Sequence, residues 1–252
     1  MPVPSIALQL YTVRDALQSP DTFEQRLSEI AQMGYEYVEL AGLYGKTPEE
    51  LESSLRSHGL KAISTHEGLD LVEQDVKAAI ARARTFGYDT IAIPWIGEEH
   101  RTPEGFRALS ARLRPVADAL AADGITLLWH NHNFEYLKLP NGEMPIDILA
   151  ASGVRLEMDV YWVCHAEQSP LDWLVKYSGR VPILHMKDMQ KDRKDFAEVG
   201  TGVLDLPLYA REAAGHGVRY LVVEQDSNWA VSPMESARVG IRNLKKMLAN
   251  CE

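Results

Sequence analysis

The sequence predicts an α/β fold, a single (β/α)8 TIM barrel over residues 1–252, and three observations carry that prediction. Seven glycines, Gly34, Gly59, Gly87, Gly124, Gly153, Gly179 and Gly217, each end a stretch of helical period and precede a short apolar run. Short apolar runs alternate with amphipathic segments along the whole chain, the pattern of successive strand–helix units and hence of a parallel sheet. The length of 252 residues matches the roughly 250 typical of one such barrel.

Taken in order, the first apolar run, 6–11, leads to a helical segment at 23–33 that stops at Gly34, where a left-handed C-terminal cap is expected. Run 37–40 leads to segment 48–58, which opens with Thr47-Pro48-Glu49-Glu50: a capping hydroxyl, a proline at the first helical position and acids in the first turn. Run 61–65 precedes segment 71–86, and run 90–94 precedes segment 103–122, again opened by Thr-Pro-Glu at Thr102. Runs 126–130, 155–159, 181–187 and 220–224 precede segments 146–151, 171–177, 206–216 and 232–249. Eight strands with eight helices favour a closed barrel. An open doubly wound sheet is the competing class, and it lacks the Gly-x-Gly-x-x-Gly expected after a first strand of the dinucleotide-binding type. No linker rich in Pro, Ser or Gly divides the chain. The longest irregular pieces, 131–145 and 188–205, follow strands five and seven and are expected on the face where barrels keep their chemistry.

Composition narrows the function. Hydrophobic residues make up 46% and charged residues 25%, as in ordinary globular chains. A formal net charge of −10, with no basic stripe, argues against nucleic acid as a partner. Cys164 and Cys251 are too few for a disulfide framework, so a reducing cytoplasm is expected. The start, MPVPSIALQLYTVRD, shows no basic region followed by a long apolar one, and no apolar run reaches the roughly 18 residues needed to span a bilayer. Neither export nor membrane insertion is expected.

The strand ends carry the chemistry. Six residues after Gly124, Gly153 and Gly179 stand His130, Asp159 and His185, and seven after Gly217 stands Glu224. Acids and imidazoles delivered to one mouth form a mixed N/O site for a divalent cation, with manganese the first expectation and cobalt, magnesium or zinc as alternatives. Any one of these residues by itself could be a helix cap or a hydrogen-bonded core group; several in register on neighbouring strands point to a site. On strand five, alternation puts His130 and His132 on one face, while Glu135 lies past the end and has the reach to fold back, so the ligand there is either His130 or Glu135. On strand seven Lys187 shares a face with His185. Beside a cation its pKa should fall, making it a proton-transfer group or a fixed cation on an oxyanion, unless it simply pairs with Asp188 or Glu224. Glu224 suits a base removing a proton next to a carbonyl. Asp226 reads as a loop or cap residue. Gly200-Thr201-Gly202 reads as a turn, and Trp95 and Trp162 as rings for a sugar's apolar face, although packing alone would also place them. No Gly-x-Ser-x-Gly is present, which argues against covalent hydrolase chemistry.

Through Gln-Leu-Tyr-Thr-Val-Arg-Asp at 9–15, His-Asn-His-Asn-Phe-Glu at 130–135, Met-Asp-Val-Tyr-Trp at 158–162, His-Met-Lys-Asp at 185–188, Val-Gly-Thr-Gly at 199–202 and Val-Glu-Gln-Asp at 223–226, the chain resembles the sugar phosphate isomerase/epimerase family of the xylose-isomerase-like TIM barrels. The resemblance runs over nearly the whole length. It implies a cation held by a Glu, an Asp, a His and a second Glu from strands five to eight, as in ketose 3-epimerases. Asp159, His185 and Glu224 carry over directly, whereas His130 stands where those enzymes have glutamate. The broader family also includes inosose dehydratases, enzymes that eliminate a leaving group from 3-keto-glycosides, and divalent-metal endonucleases.

The expected function is therefore a divalent-metal isomerase or epimerase acting on a small sugar or keto-sugar. Glu224 is the first choice of base, and Lys187, His130 or His132 the proton donor or oxyanion partner. Arg14, His66, Trp95 and Trp162 are expected around the substrate, Arg14 on an anionic group. The alternatives are a metal-dependent lyase or dehydratase and a non-catalytic sugar-binding subunit; the sequence is compatible with a homo-oligomer.

Overall fold

The structure, a computed structural model, describes residues 3–191 and 195–249, so Cys251 lies outside the described residues. Eight parallel strands form the barrel: Ser5–Gln9, Tyr37–Leu40, Lys61–Thr65, Thr90–Ile93, Thr126–His130, Arg155–Asp159, Ile183–His185 and Tyr220–Val223, called strands one to eight. Neighbours run in the order three, two, one, eight, seven, six, five, four. Strands three and four meet at the remaining seam through a single parallel bridge, His66 with Ala92, backed by the Thr90 hydroxyl donating to the Ile63 carbonyl (3.0 Å). The barrel is thus nearly closed, and His66 sits on its closing stitch.

Seven glycines mark the strand entries as the sequence predicts, all with positive φ between 74° and 99°. Boundaries shift where side chains compete with the expected pattern. Strand one stops at Gln9, because its side-chain oxygen accepts from the Tyr11 N–H (3.0 Å) and opens a 3-10 helix, Leu10–Leu17. The expected helix at 71–86 is two, Leu69–Gln74 and Val76–Phe86, since Asp75 leaves the helical region and caps the second through Ala78 N–H (2.9 Å). A short helix, Val160–His165, begins at once after strand six and was not expected. Among the described residues no helix is long and apolar enough to cross a membrane.

Strand alternation sorts the core into two layers. One face of each strand packs under the helices, as with Leu8, Val38, Ile91, Trp129, Leu156 and Leu184. The other lines the lumen, where Ala7, Ile63, Ala92, Leu128, Ile183 and Val222 form a small apolar floor flanked by Tyr37 and Tyr220. Two residues further along the same faces come Gln9, Glu39, His130, His185 and Glu224, while strand six turns Glu157 and Asp159 inward; all seven are buried. The lumen is apolar below and ionisable above.

The last helix, Pro233–Ala249, lies close on strand eight: a Cβ added to Gly240 would stand 2.5 Å from Val223 Cγ1. Helix propensity favours alanine here by about 1 kcal/mol, but valine is stiff at χ1 and overpacking costs about 1–3 kcal/mol. Gly240→Ala should therefore lower stability by about 1–2 kcal/mol in urea unfolding; a gain in stability would show that the helix and strand are not in this contact.

Candidate metal centre

Four side chains converge at the mouth. His130, Asp159 and His185 end strands five, six and seven, Glu224 follows strand eight, and one ligand atom from each lies within 4.8 Å of the others. Local structure aims them. Asp159 spends Oδ1 on capping Val160–His165, accepting from Tyr161 N–H (2.9 Å) and Trp162 N–H (3.2 Å). Its buried Oδ2 has no hydrogen-bond partner and stands 3.9 Å from His130 Nε2 and 3.2 Å from Lys187 Nζ. Glu224 Oε2 lies 2.6 Å from His185 Nδ1 and 3.1 Å from Lys187 Nζ. Two imidazole nitrogens and two carboxylates, one of them with a buried oxygen that accepts no hydrogen bond, make a donor set that fits a divalent cation such as zinc, manganese or cobalt.

The electrostatics follow from burial. Burial pushes the Asp159 carboxyl up to about 6, against the pull of Lys187 and His185. Burial also opposes charge on His185, but Glu157, Glu224 and Glu39 outweigh it and hold its pKa well above the ordinary imidazole value. Without a cation, Lys187 takes the expected alternative of a salt bridge to Glu224. Burial works against its ammonium, yet Asp226, Glu224 and Asp159, at 3.0, 3.1 and 3.2 Å, hold its pKa well above the usual value.

Above the quartet opens a cavity of about 420 Å³, lined by Tyr11, His66, Pro94, Trp95, His130, His132, Lys187, Glu224 and Asp226 among others. His132 faces it with its ring edge-on to Trp95 (4.7 Å) and 5.1 Å from Trp162. Burial, with His130 and Lys187 nearby, pushes its pKa down to about 2, so the imidazole is neutral. Trp95, 52% exposed, forms the rim. Two expected site residues are drawn elsewhere. Glu135 folds over the outer face of strand five, where Oε1 accepts from Trp129 Nε1 (2.9 Å) and Oε2 from His132 N–H (2.8 Å), so it does not join the converging ligand atoms. Arg14 donates to the carbonyls of Tyr11 (2.7 Å) and Asp226 (3.0 Å) and stacks on Tyr11, tying the first and last loops together and not lining the cavity.

Asp226, read from sequence as a cap, lines the cavity and bonds Lys187. Asp188 does not pair with Lys187: its carboxylate accepts from the N–H groups of Met189, Gly200, Gly202 and Leu204 at 2.8–3.2 Å. The glycine turn at 200–202 is thereby closed on an acid of the chain itself. Sequence reasoning missed Glu157, fully buried beneath the quartet; it stands two residues before Asp159 on the same strand, and that spacing was the available signal.

Binding a cation here must displace the proton between His185 Nδ1 and Glu224 and ionise Asp159, so affinity should rise with pH through about 6 and go on rising until the raised His185 pKa is passed. Calorimetry in buffers of different ionisation enthalpy should register release of about one proton per cation. Asp159→Ala and His185→Ala should abolish binding with the circular dichroism spectrum unchanged; a full equivalent of metal retained by both would remove the site.

Comparison with known proteins agrees with this architecture. Over residues 27–247 the chain matches the xylose isomerase-like TIM barrel family. The rhizopine catabolism protein MocC of Rhizobium meliloti is 26% identical over 266 residues, spanning 90% of this chain and 82% of that protein. An inosose dehydratase of Clostridium botulinum is 21% identical over 271 residues, 91% of each chain. The crystal structure of a sugar phosphate isomerase/epimerase from Parabacteroides distasonis superposes with a TM-score of 0.82 at 18% identity, covering 96% of this chain and 93% of that one. With its fold and a family match over residues 27–247, the chain belongs to the xylose isomerase-like TIM barrel family.

Proposed function

We propose that the protein is a metal-dependent lyase that removes water, or another β-leaving group, from a small keto-polyol or keto-sugar. The observation that carries this reading is the pairing of Glu224 with Lys187, at 3.1 Å, on one wall of the cavity. His130, Asp159, His185 and Glu224 would hold the cation, with His130 as the strand-five ligand. When bound, the cation polarises a substrate carbonyl and favours loss of a proton from the adjacent carbon.

The chain's own groups then divide the work. Glu224 is held ionised well below the usual carboxylate range: burial alone would raise its pKa, but Lys187 and His185 outweigh it. It takes the C–H proton. The Lys187 ammonium gives a proton to the departing hydroxyl as the C–O bond breaks, and a C=C bond forms next to the carbonyl. Proton transfer from Glu224 to Lys187 across 3.1 Å restores both groups. The net products are an unsaturated ketone and water. The same cavity offers His132 and Trp95 from the loops after strands five and four, and Tyr11 from beside strand eight, as rings and an imidazole against the sugar face. The resemblance to an inosose dehydratase supports the same class of substrate.

Isomerisation or epimerisation is the second reading, and His132 is the observation that favours it: its ring lines the same cavity as Glu224 and its buried Nδ1 has no hydrogen-bond partner, a second nitrogen for handling a proton. The metal-loaded enzyme, incubated with inososes and neutral keto-sugars in deuterated water, separates the two. Growth of a conjugated-enone absorbance supports elimination, whereas deuterium incorporation with retention of all hydroxyls supports isomerisation. Glu224→Gln and Lys187→Met should each lower kcat at least about 100-fold. An unchanged kcat in Lys187→Met would refute its role as the acid.

A further inference from the structure

Beneath the mouth lies a second tier of ionisable groups that the chemistry above does not use. Glu39 of strand two and Glu157 of strand six are fully buried in the lumen. Glu157 Oε2 is 3.0 Å from His130 Nδ1 and 2.6 Å from His66 Nε2. Glu39 Oε2 is 2.8 Å from His185 Nε2 and accepts from the Gln9 amide at 2.9 Å. Two imidazoles therefore span both tiers. His130 turns Nδ1 down to Glu157 and Nε2 up toward Asp159; His185 turns Nε2 down to Glu39 and Nδ1 up to Glu224.

A carboxylate accepting from a ring nitrogen keeps the proton there, so Glu157 leaves His130 Nε2 its lone pair; His185 meets a carboxylate on each side, and a cation that takes up Glu224 would leave Nδ1 its lone pair while Nε2 donates to Glu39. We propose that Glu157 and Glu39 are positioning residues of the metal centre: Glu157 selects the His130 tautomer that presents Nε2, and Glu39 the His185 tautomer that presents Nδ1. This rests on the assignment of the two histidines as metal ligands. Gln9 extends the device by steadying Glu39, and His66 bridges the tiers sideways, its Nε2 lying 2.6 Å from Glu157 and 3.4 Å from Glu39. The competing arrangement is a second cation in the lower tier, because His66, His130, Glu157 and His185 also bring ligand atoms within 4.8 Å of one another and Oε1 of both glutamates lacks a partner. The positioning role is favoured by His130: its Nδ1 already meets Glu157 at 3.0 Å, whereas its Nε2 stands 3.9 Å from Asp159 Oδ2, beyond a hydrogen bond and open to a cation.

The test is zinc titration of the metal-stripped full chain against a chromophoric chelator, for the native protein, Glu157→Gln, Glu39→Gln and Asp159→Ala. The expected result is one zinc per native chain, one zinc bound about 10–100-fold more weakly by each glutamine variant, and none by Asp159→Ala. Affinity within twofold of native in both glutamine variants overturns the positioning role while leaving the metal centre intact. Two zincs per native chain, falling to one in Glu157→Gln, make Glu157 a ligand and also overturn it. No zinc in the native chain overturns both the centre and its supports. Side-chain 15N NMR of the zinc-loaded native protein needs no variant: metal-shifted His130 Nε2 and His185 Nδ1 with protonated partner nitrogens are expected, and metal on His130 Nδ1 refutes the proposal.

Discussion

The His185 imidazole, held between Glu224 at 2.6 Å and Glu39 at 2.8 Å, is the contact through which the mouth and the interior of this barrel become one charged assembly. A carboxylate or ammonium removed from water costs several kcal/mol unless it is paired and hydrogen-bonded. The upper lumen carries Glu39, Glu157, Asp159, Glu224, His130, His185 and Lys187, all buried. They are tolerable only as a set, with Lys187 serving three acids and the imidazoles each serving two tiers. Asp159 Oδ2 has no hydrogen bond, only the ion pair with Lys187 at 3.2 Å, and there the compensation leaves room for a cation's charge.

The loops are built to keep that set in place. Asp188 gathers four backbone N–H groups and closes the chain after strand seven. Glu135 ties the strand-five loop to Trp129, and Arg14 joins the loops after strands one and eight. Each uses a charged side chain on backbone or buried indole groups, so the residues nearest the substrate are supported by polar contacts outside the cavity. Preorganisation of this kind lets a site act on developing charge without rearranging. It also leaves the cavity asymmetric, with Lys187, Glu224 and Asp226 from the ends of strands seven and eight and Trp95 and His132 from the ends of strands four and five.

Much of this was legible in the residues themselves. The seven glycines placed the strands because a helix that ends in a left-handed turn needs one there, and the fixed distance from glycine to strand end put His130, Asp159, His185 and Glu224 at one rim. What failed was reading single polar residues near those ends. Glu135 and Arg14 have the types and positions of site residues, but their partners, Trp129 Nε1 and two backbone carbonyls, lie on other segments or on the outer face. Asp226 and Asp188 exchanged roles for the same reason: which of two acids meets Lys187 depends on how the loops after strands seven and eight fold.

The sequence by itself determined the fold class, the places of the strands and the residue types at their ends, because these depend on local periodicity, turn chemistry and the two-residue alternation of a strand. Only the tertiary structure decided that Lys187 is the partner of three acids, that burial pushes the His132 pKa down, and that Glu39 and Glu157 stand beneath the four strand-end groups. Those properties come from desolvation and from charges brought together across 30 to 146 residues of chain, between Gln9 and Glu39 and between Glu39 and His185. Local pattern does not encode them; closure of the barrel does.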